Sequence, residues 1–355
     1  MINIKNENLG GKHVLITGAN GFIGRRLFAA LIQAKAKVTV LLRSGHDQGY
    51  FVTKGAKVII CKLAPSAKLD AALRGQEVLF NLAYDMRAGG QANMHAFSSI
   101  LDSAKRGGVK RIIHTSSIVV YDDWPNGQIN ETAPISTVSG GDYRQTKIAM
   151  ETKLLGGKIA AAILQPTIVY GPGSPQWTLS PLAALRKGTV ALPDPVGICP
   201  AVFVDDVVNS AILAANLPDL AQERFIISGP DRSTWEDFFQ GYAKMTKSGE
   251  VMRVPLSELQ ALVPTPPLMD ANPGIPVAAR ISATVRRIVG SRRFDRVLAR
   301  LRNRRSKRGP IYPDQYSLDL YAANPIISSE YAFSRLGYEP KFDLEAGMSE
   351  ISKSI

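Results

Sequence analysis

The sequence predicts an α/β protein, a doubly wound parallel sheet with a smaller C-terminal lobe. Three observations lead there. The apolar segments HVLIT, KVTVLL, KVIIC, EVLFNLA, KRIIHTS and KIAAAILQ are continuous rather than alternating, the mark of strands buried on both faces. Amphipathic stretches of helical period separate them, which is the rhythm of parallel βαβ units. With 355 residues, 45% hydrophobic and 21% charged, the chain can bury one large core or two modest ones, which excludes disordered and fibrous classes.

The elements follow in order. A strand at 13–17 leads through a glycine-rich turn into a helix ending near Ala34, and the second strand is 37–42. Strands at 57–61, 77–83, 110–116 and 158–165 alternate with helices near 67–74, 91–106 and 142–155. Beyond Pro166 the prolines at 172, 175, 181, 193, 195 and 200 break the pattern repeatedly. We therefore expect a dinucleotide-binding domain over 11–165, with a return at 201–228, and a substrate lobe made of 166–200 and 229–355. Residues 201–216 read as a short strand running into a helix whose acidic first turn, Asp205 and Asp206, suits the helix dipole. A proline-rich stretch, 262–276, precedes a basic one.

The charge balance is 43 Lys+Arg against 30 Asp+Glu, a net +13. Twelve of those cations lie between Arg280 and Arg308 against the single acid Asp295, so +11 of the total belongs to this segment. Basicity is thus local. Ile281, Val285, Ile288, Val289, Val297, Leu298 and Leu301 recur there at mostly three- and four-residue spacing, an amphipathic helical pattern broken near Gly290. It reads as a solvated surface helix or as peripheral contact with an anionic membrane. Nucleic acid is not expected, because no stacking aromatics accompany the charges. The two cysteines, Cys61 and Cys199, and four histidines show no paired ligand spacing, so neither a disulfide framework nor a metal site is expected. No apolar run reaches the roughly 18 residues of a membrane span, and the first eleven residues lack an apolar leader core. A cytoplasmic location is expected, with membrane association on the inner face as an option.

Three motifs carry chemistry. Thr17-Gly18-Ala19-Asn20-Gly21-Phe22-Ile23-Gly24 is a G-x-x-G-x-x-G turn between strand and helix, where backbone amides can approach a pyrophosphate at the positive helix end. Arg43 follows the second strand, where an NAD-selective site usually offers an acid to the ribose 2′-hydroxyl. A cation there favours the 2′-phosphate of NADP, with Arg25 or Arg26 nearby, and NAD remains the alternative. Tyr143 and Lys147, four apart, share one helical face. A phenol of pKa about 10 is a poor base at neutral pH, and an adjacent ammonium would help it exchange a proton with a substrate oxygen. Ser117, just after the fifth strand, can hydrogen-bond that oxygen.

The ordered set TGANGFIG, NLAYD (81–85), HTSSIVVY (114–121), YRQTK (143–147), LQPTIVYGPG (164–173), FVDDVV (203–208) and LGYEP (336–340) resembles the extended short-chain dehydrogenase/reductases, the NAD(P)-dependent epimerase/dehydratase superfamily, from about Lys12 to Ile351. The resemblance implies a Rossmann-type sheet and an enzyme that interconverts a secondary alcohol and a ketone. It implies that Ser117 is the catalytic hydroxyl, Tyr143 the proton-exchanging phenol and Lys147 the cation that orients the nicotinamide ribose and lowers the Tyr143 pKa. Leu63, Leu82, Ala83 and Tyr84 would line the cofactor, with Pro166 and Ile168 beside the nicotinamide. Asn93 falls where the family often has a helix asparagine, packing being the equal alternative. Family members are often dimers through helices that correspond to 91–106 and 142–155, so a homodimer is expected.

The departures bear on substrate. Cys61-Lys62-Leu63 replaces a Gly-Asp-Leu whose acid contacts adenine, and Ile118-Val119 replaces the Asp-Glu pair of sugar dehydratases, so dehydration is not expected. Ile168 stands for a common asparagine, and Cys199-Pro200 for Arg-Asp, which weakens nucleotide-diphosphate recognition. A small-molecule substrate is expected. Tyr84, Asp85, Arg87, Asp122 and Asp123 put polar groups near the pocket mouth and favour a sugar or nucleotide sugar, with Asp85, Asp122, Ser117 and Tyr143 contacting it. The alternatives are an NADPH-dependent reductase, like the hydroxysteroid dehydrogenases, acting on a lipid-like alcohol near a membrane, and a non-catalytic nucleotide-sensing regulator.

Overall fold

The computed structural model describes residues 9–137, 140–246, 249–263 and 309–355. The basic segment 280–308 and most of the proline-rich stretch lie outside the described residues. Five strands, β1 (His13–Thr17), β2 (Lys37–Leu42), β3 (Lys57–Ile60), β4 (Val78–Asn81) and β5 (Arg111–Thr115), join Ala160–Pro166 and Gln222–Ile227 in one sheet. All its pairings are parallel, in the order Gln222–Ile227, Ala160–Pro166, β5, β4, β1, β2, β3. The order reverses between β1 and β4, and a ligand of such a sheet sits outside the strand ends at that switch point.

Both faces of the sheet are dry over its central strands, which explains the unbroken apolar segments there, whereas the edge strand β3 was expected to be buried on both faces and is partly exposed, Ile60 at 36%, because no strand covers its outer side. Val14, Ile16, Val38 and Val40 pack into the core shared with Leu27, Phe28, Val207 and Ile212. Leu15, Leu41, Leu79 and Ile112 face the opposite core with Leu69, Phe97, Ile100 and Met150. The helices Phe22–Gln33, Gly90–Gly107 and Asp142–Leu155 supply these covers and start within a residue or so of their predicted bounds.

The return is more divided than the sequence suggests. The strand Ala201–Phe203 pairs with Ile168–Tyr170 in a two-stranded sheet of its own, while the helix Val204–Asn216 packs on the main sheet and Gln222–Ile227 forms its edge. The lobe gathers Trp235, Phe238, Phe239 and Tyr242 around Tyr170 and Phe203, and the Trp235 indole donates to the Leu320 carbonyl at 3.0 Å. Residues 330–338 lie in the part of the chain expected to form the lobe, yet Ala332, Leu336 and Tyr338 are buried in the main core. Asp206 fixes this C-terminal stretch: its carboxylate accepts from the amides of Lys341 (2.9 Å) and Phe342 (3.2 Å). Among the described residues no helix is long and apolar enough to cross a membrane.

Candidate functional site

The glycine turn is shaped by close approach of backbone to backbone. Gly18 has φ +71°, and a Cβ there would lie 2.8 Å from the Leu82 carbonyl carbon, so only glycine lets the turn rest against the end of β4. A Cβ on Gly24 would fall on the Gly18 carbonyl oxygen, which fixes the helix tightly against the turn. Gly21 donates its N–H to Gly18 at 2.9 Å. Beside the turn opens a cleft of about 540 Å³. Of the predicted cofactor residues, Gly18, Asn20, Gly21, Arg43, Leu63, Leu82, Ala83 and Tyr84 line it. Phe22 packs toward the lobe core, as does the buried Ile168, Ile23 lies against both the main core and the lobe core, and Pro166 ends its strand in the sheet. The glycine cradle, the cleft across the switch point and the cation at its rim fit a nicotinamide dinucleotide.

A buried polar chain holds the cleft floor. Thr17 donates to Asn81 (2.7 Å), Asn81 bonds the His114 ring at 3.0 Å, and Thr17 accepts the Ala83 amide at 3.3 Å. Burial pushes His114 well below the usual imidazole range, with the Lys147 charge adding to it, so it stands neutral behind the site. Asn93, on the helix Gly90–Gly107, serves as a loop clamp: it accepts the Asp85 amide (2.9 Å) and donates to the carbonyls of Asp85, Ala88 and Gly89.

Ser117, Tyr143 and Lys147 come together where β5 ends against the helix Asp142–Leu155. Ser117 caps a short turn, its hydroxyl accepting the Val119 amide at 3.4 Å, and lies close enough to the Tyr143 hydroxyl to lower its pKa. Lys147 is 4% exposed and donates to the Thr115 carbonyl at 2.8 Å. Tyr84 joins this group to the cofactor cleft, its ring 5.0 Å and edge-on from Tyr143. Burial pushes the Tyr143 phenol up to about 12, with Ser117 working the other way. Burial also brings Lys147 down to about 8, against the pull of Glu151. The expectation that Lys147 lowers the Tyr143 pKa is not met: desolvation dominates the Tyr143 phenol, and the group that works against it is Ser117 rather than Lys147.

The two acids expected at the substrate take other roles. The Asp85 carboxylate lies 2.6 Å from an Arg43 nitrogen at the cofactor cleft. Asp122 pairs with Arg144 and accepts the Ser136 amide at 2.7 Å. Arg144 also donates to the carbonyls of Val119, Val120 and Ser136, so this pair staples the loop after Ser117 to its helix. Proximity to these loops was legible in the sequence, whereas the direction each carboxylate takes was not.

Two features escaped sequence reasoning. Glu151, one turn beyond Lys147 and fully buried, receives Ser116, Gln165 (3.0 Å) and Arg224 (2.7 Å). Its i+4 spacing from Lys147 was the available signal. Tyr316, on the helix Gln315–Ala322, is close enough to Tyr143 to raise its pKa and lies beside Trp124. Nothing local in the sequence pairs residues so far apart.

Comparison with known proteins agrees with this geometry. Residues 14–227 match the NAD dependent epimerase/dehydratase family. The chain is 26% identical over 166 residues to a 4-hydroxy-2-methyl-3-oxo-4-farnesyl-3,4-dihydroquinoline-1-oxide ketoreductase of Stigmatella aurantiaca, covering 44% of this chain and 50% of that protein. It is 28% identical over 169 residues to sterol demethylase protein B of Methylococcus capsulatus, covering 44% and 52%. The chain thus spans about half the length of these two relatives. The structure of epimerase Mth375 from Methanothermobacter thermautotrophicus superposes with a TM-score of 0.69 over 98% of this chain and 93% of that one, at 16% identity. That likeness is one of fold. Together, the matched span and the serine, tyrosine and lysine brought to one sheet end place the chain in the NAD-dependent epimerase/dehydratase family of extended short-chain dehydrogenase/reductases.

Proposed function

We propose that the protein is an NADP-preferring oxidoreductase that reduces a ketone, or oxidises the matching secondary alcohol, on a lipid-like and largely apolar molecule. The observation that carries this reading is the surround of Tyr143: the rings of Tyr84 and Tyr316 stand next to it, while Asp85 and Asp122 are engaged by Arg43 and Arg144. The expectation of a sugar rested on five polar side chains near the pocket mouth, Tyr84, Asp85, Arg87, Asp122 and Asp123, and two of the acids among them are paired. Their pairing shifts it to an apolar substrate. The farnesyl group and the sterol in the names of the two relatives support the same chemistry.

A bound nicotinamide supplies or accepts the hydride. The chain does the rest. A phenol held near 12 keeps its proton at neutral pH, so Tyr143 is a proton donor to the oxygen of a ketone being reduced. Ser117, beside Tyr143, provides the second hydrogen bond to that oxygen, and Lys147, held on the Thr115 carbonyl, supplies positive charge near the Tyr143 ring. Arg43 at the cleft rim favours a 2′-phosphate. The +11 charge of 280–308 suits contact with an anionic membrane, where a lipid-like substrate would be met. A homodimer through Gly90–Gly107 and Asp142–Leu155 completes the proposal.

The test begins with the purified protein, denatured so that any nicotinamide nucleotide released can be identified and counted. NADPH oxidation is then followed with a panel of apolar ketones and with nucleotide sugars. Exchangeable nucleotide and turnover of an apolar ketone are expected. Stoichiometric, tightly held NAD with conversion of a nucleotide sugar would overturn the reading.

A further inference from the structure

The Arg43–Asp85 pair spans the switch point. Arg43 follows β2 and Asp85 follows β4, and these strands flank β1, whose end becomes the glycine turn. The contact of 2.6 Å therefore bridges the cofactor cleft from one side to the other, and both residues line it. Asp85 is not a loosely placed surface acid. Asn93, itself 6% exposed, grips its backbone on both sides, and one carboxylate oxygen accepts the Arg87 amide at 3.0 Å while the other meets Arg43. That amide and Arg43 hold the carboxyl below its ordinary range, so it is ionised at neutral pH.

The position after β2, where an NAD-selective site presents an acid, carries a cation here, and an acid reaches that cation from the opposite side of the cleft. We propose that Asp85 is a specificity-determining residue of the cofactor site: its carboxylate occupies the Arg43 guanidinium and competes with a ribose 2′-phosphate, so it tempers the preference for NADP over NAD. This rests on the cofactor reading given above, in which Arg43 receives the 2′-phosphate. A phosphate must share the Arg43 guanidinium with the carboxylate on Nη1, or displace it, and in either case lies near its negative charge. A ribose 2′-hydroxyl faces neither cost, and the carboxylate can accept its hydrogen bond. Because the pair is largely exposed, its effect is modest, about three- to fivefold.

The experiment is calorimetric titration of the full chain with 2′,5′-ADP and with 5′-ADP, fragments that differ in carrying or lacking the 2′-phosphate and that undergo no reaction. Asp85→Asn keeps the backbone bonds to Asn93, and Asp85→Ala checks that the result is not peculiar to the amide. Both are expected to bind 2′,5′-ADP about three- to fivefold more tightly, with 5′-ADP changed less than twofold. Arg43→Gln is expected to remove the advantage of 2′,5′-ADP. If the ratio of the two affinities is unmoved or falls in both Asp85 variants while Arg43→Gln abolishes it, Asp85 has no such role and the Arg43 assignment stands. If Arg43→Gln leaves the ratio at the wild-type value, the NADP reading itself fails.

Discussion

The ammonium of Lys147 rests 5.0 Å from the centre of the Tyr84 ring and 5.8 Å from that of Tyr143. It is thus held by a carbonyl and by aromatic faces, while the acid one turn on, Glu151, is committed to Arg224, Ser116 and Gln165. A cation so placed is easily discharged, and burial brings it to about 8.

A pH dependence follows with a definite sign. As pH rises through about 8 the ammonium is lost, so kcat/KM should fall along an alkaline limb with its midpoint near that value. Stability moves the opposite way. The folded-state value lies below the ordinary 10.5, so the cost of burying the charge, about 3 kcal/mol, is present below pH 8 and is relieved between 8 and 10.5. Lys147→Met should lower activity, abolish the limb and raise the urea midpoint at pH 7. An unchanged limb in that variant would assign it to another group.

Tyr143→Phe separates an enzyme from a nucleotide sensor. Loss of a positioned proton donor lowers kcat by roughly 10²- to 10⁴-fold, while binding of 2′,5′-ADP should stay within about twofold because Tyr143 does not line that cleft. Ser117→Ala should cost less, since it leaves the donor in place. A Tyr143→Phe protein with full turnover would remove the phenol from the chemistry.

What could be read in advance divides along a physical line. Features set by local periodicity were legible: the continuous apolar strands, the turn from Thr17 to Gly24, and the one-face pairing of Tyr143 with Lys147. Features set by which distant side chains meet were not. Asp85 and Asp122 look like free acids in the sequence, and only the end of β2 and the helix Asp142–Leu155 show that an arginine claims each. Ser116, Gln165 and Arg224 converge on Glu151 from the end of β5 and from the strands Ala160–Pro166 and Gln222–Ile227, with partners up to 73 positions apart. Hydrophobic patterning carries no record of such convergence.

That convergence has an energetic consequence. Glu151 is wholly buried and Arg224 is its charge partner, so Arg224→Ala leaves a buried carboxylate with neutral donors alone. We expect a loss of about 3–5 kcal/mol in unfolding free energy. Arg224→Ala with Glu151→Gln together should recover part of it, because no unpaired charge then remains. Urea denaturation of the single and double variants decides the matter, and additive losses would show that the two side chains do not act as a pair.

Asp206 provides the opposite electrostatic case. Its carboxyl is 1% exposed, and burial raises it to about 6 even though the Lys341 and Phe342 amides donate to it, with Asp205 adding to the rise. An aspartate in an ion pair titrates low in the folded protein and loses its contribution in acid. Here the folded-state value lies above the unfolded 3.8, so the folded protein holds the extra proton between those limits. Stability from this group is full below about pH 4, declines as pH rises to about 6 and levels off beyond, a change of about 3 kcal/mol. Asp206→Asn cannot titrate. It pays a constant penalty for offering one acceptor where the carboxylate offers two, and its stability relative to the wild type should rise by about 3 kcal/mol between pH 4 and pH 7.5. Unfolding curves for both proteins at those two pH values measure that difference directly. A gap that stays constant would mean the carboxylate is already ionised in acid and that the two amides, rather than burial, set its charge at the joint between the helix Val204–Asn216 and the C-terminal stretch.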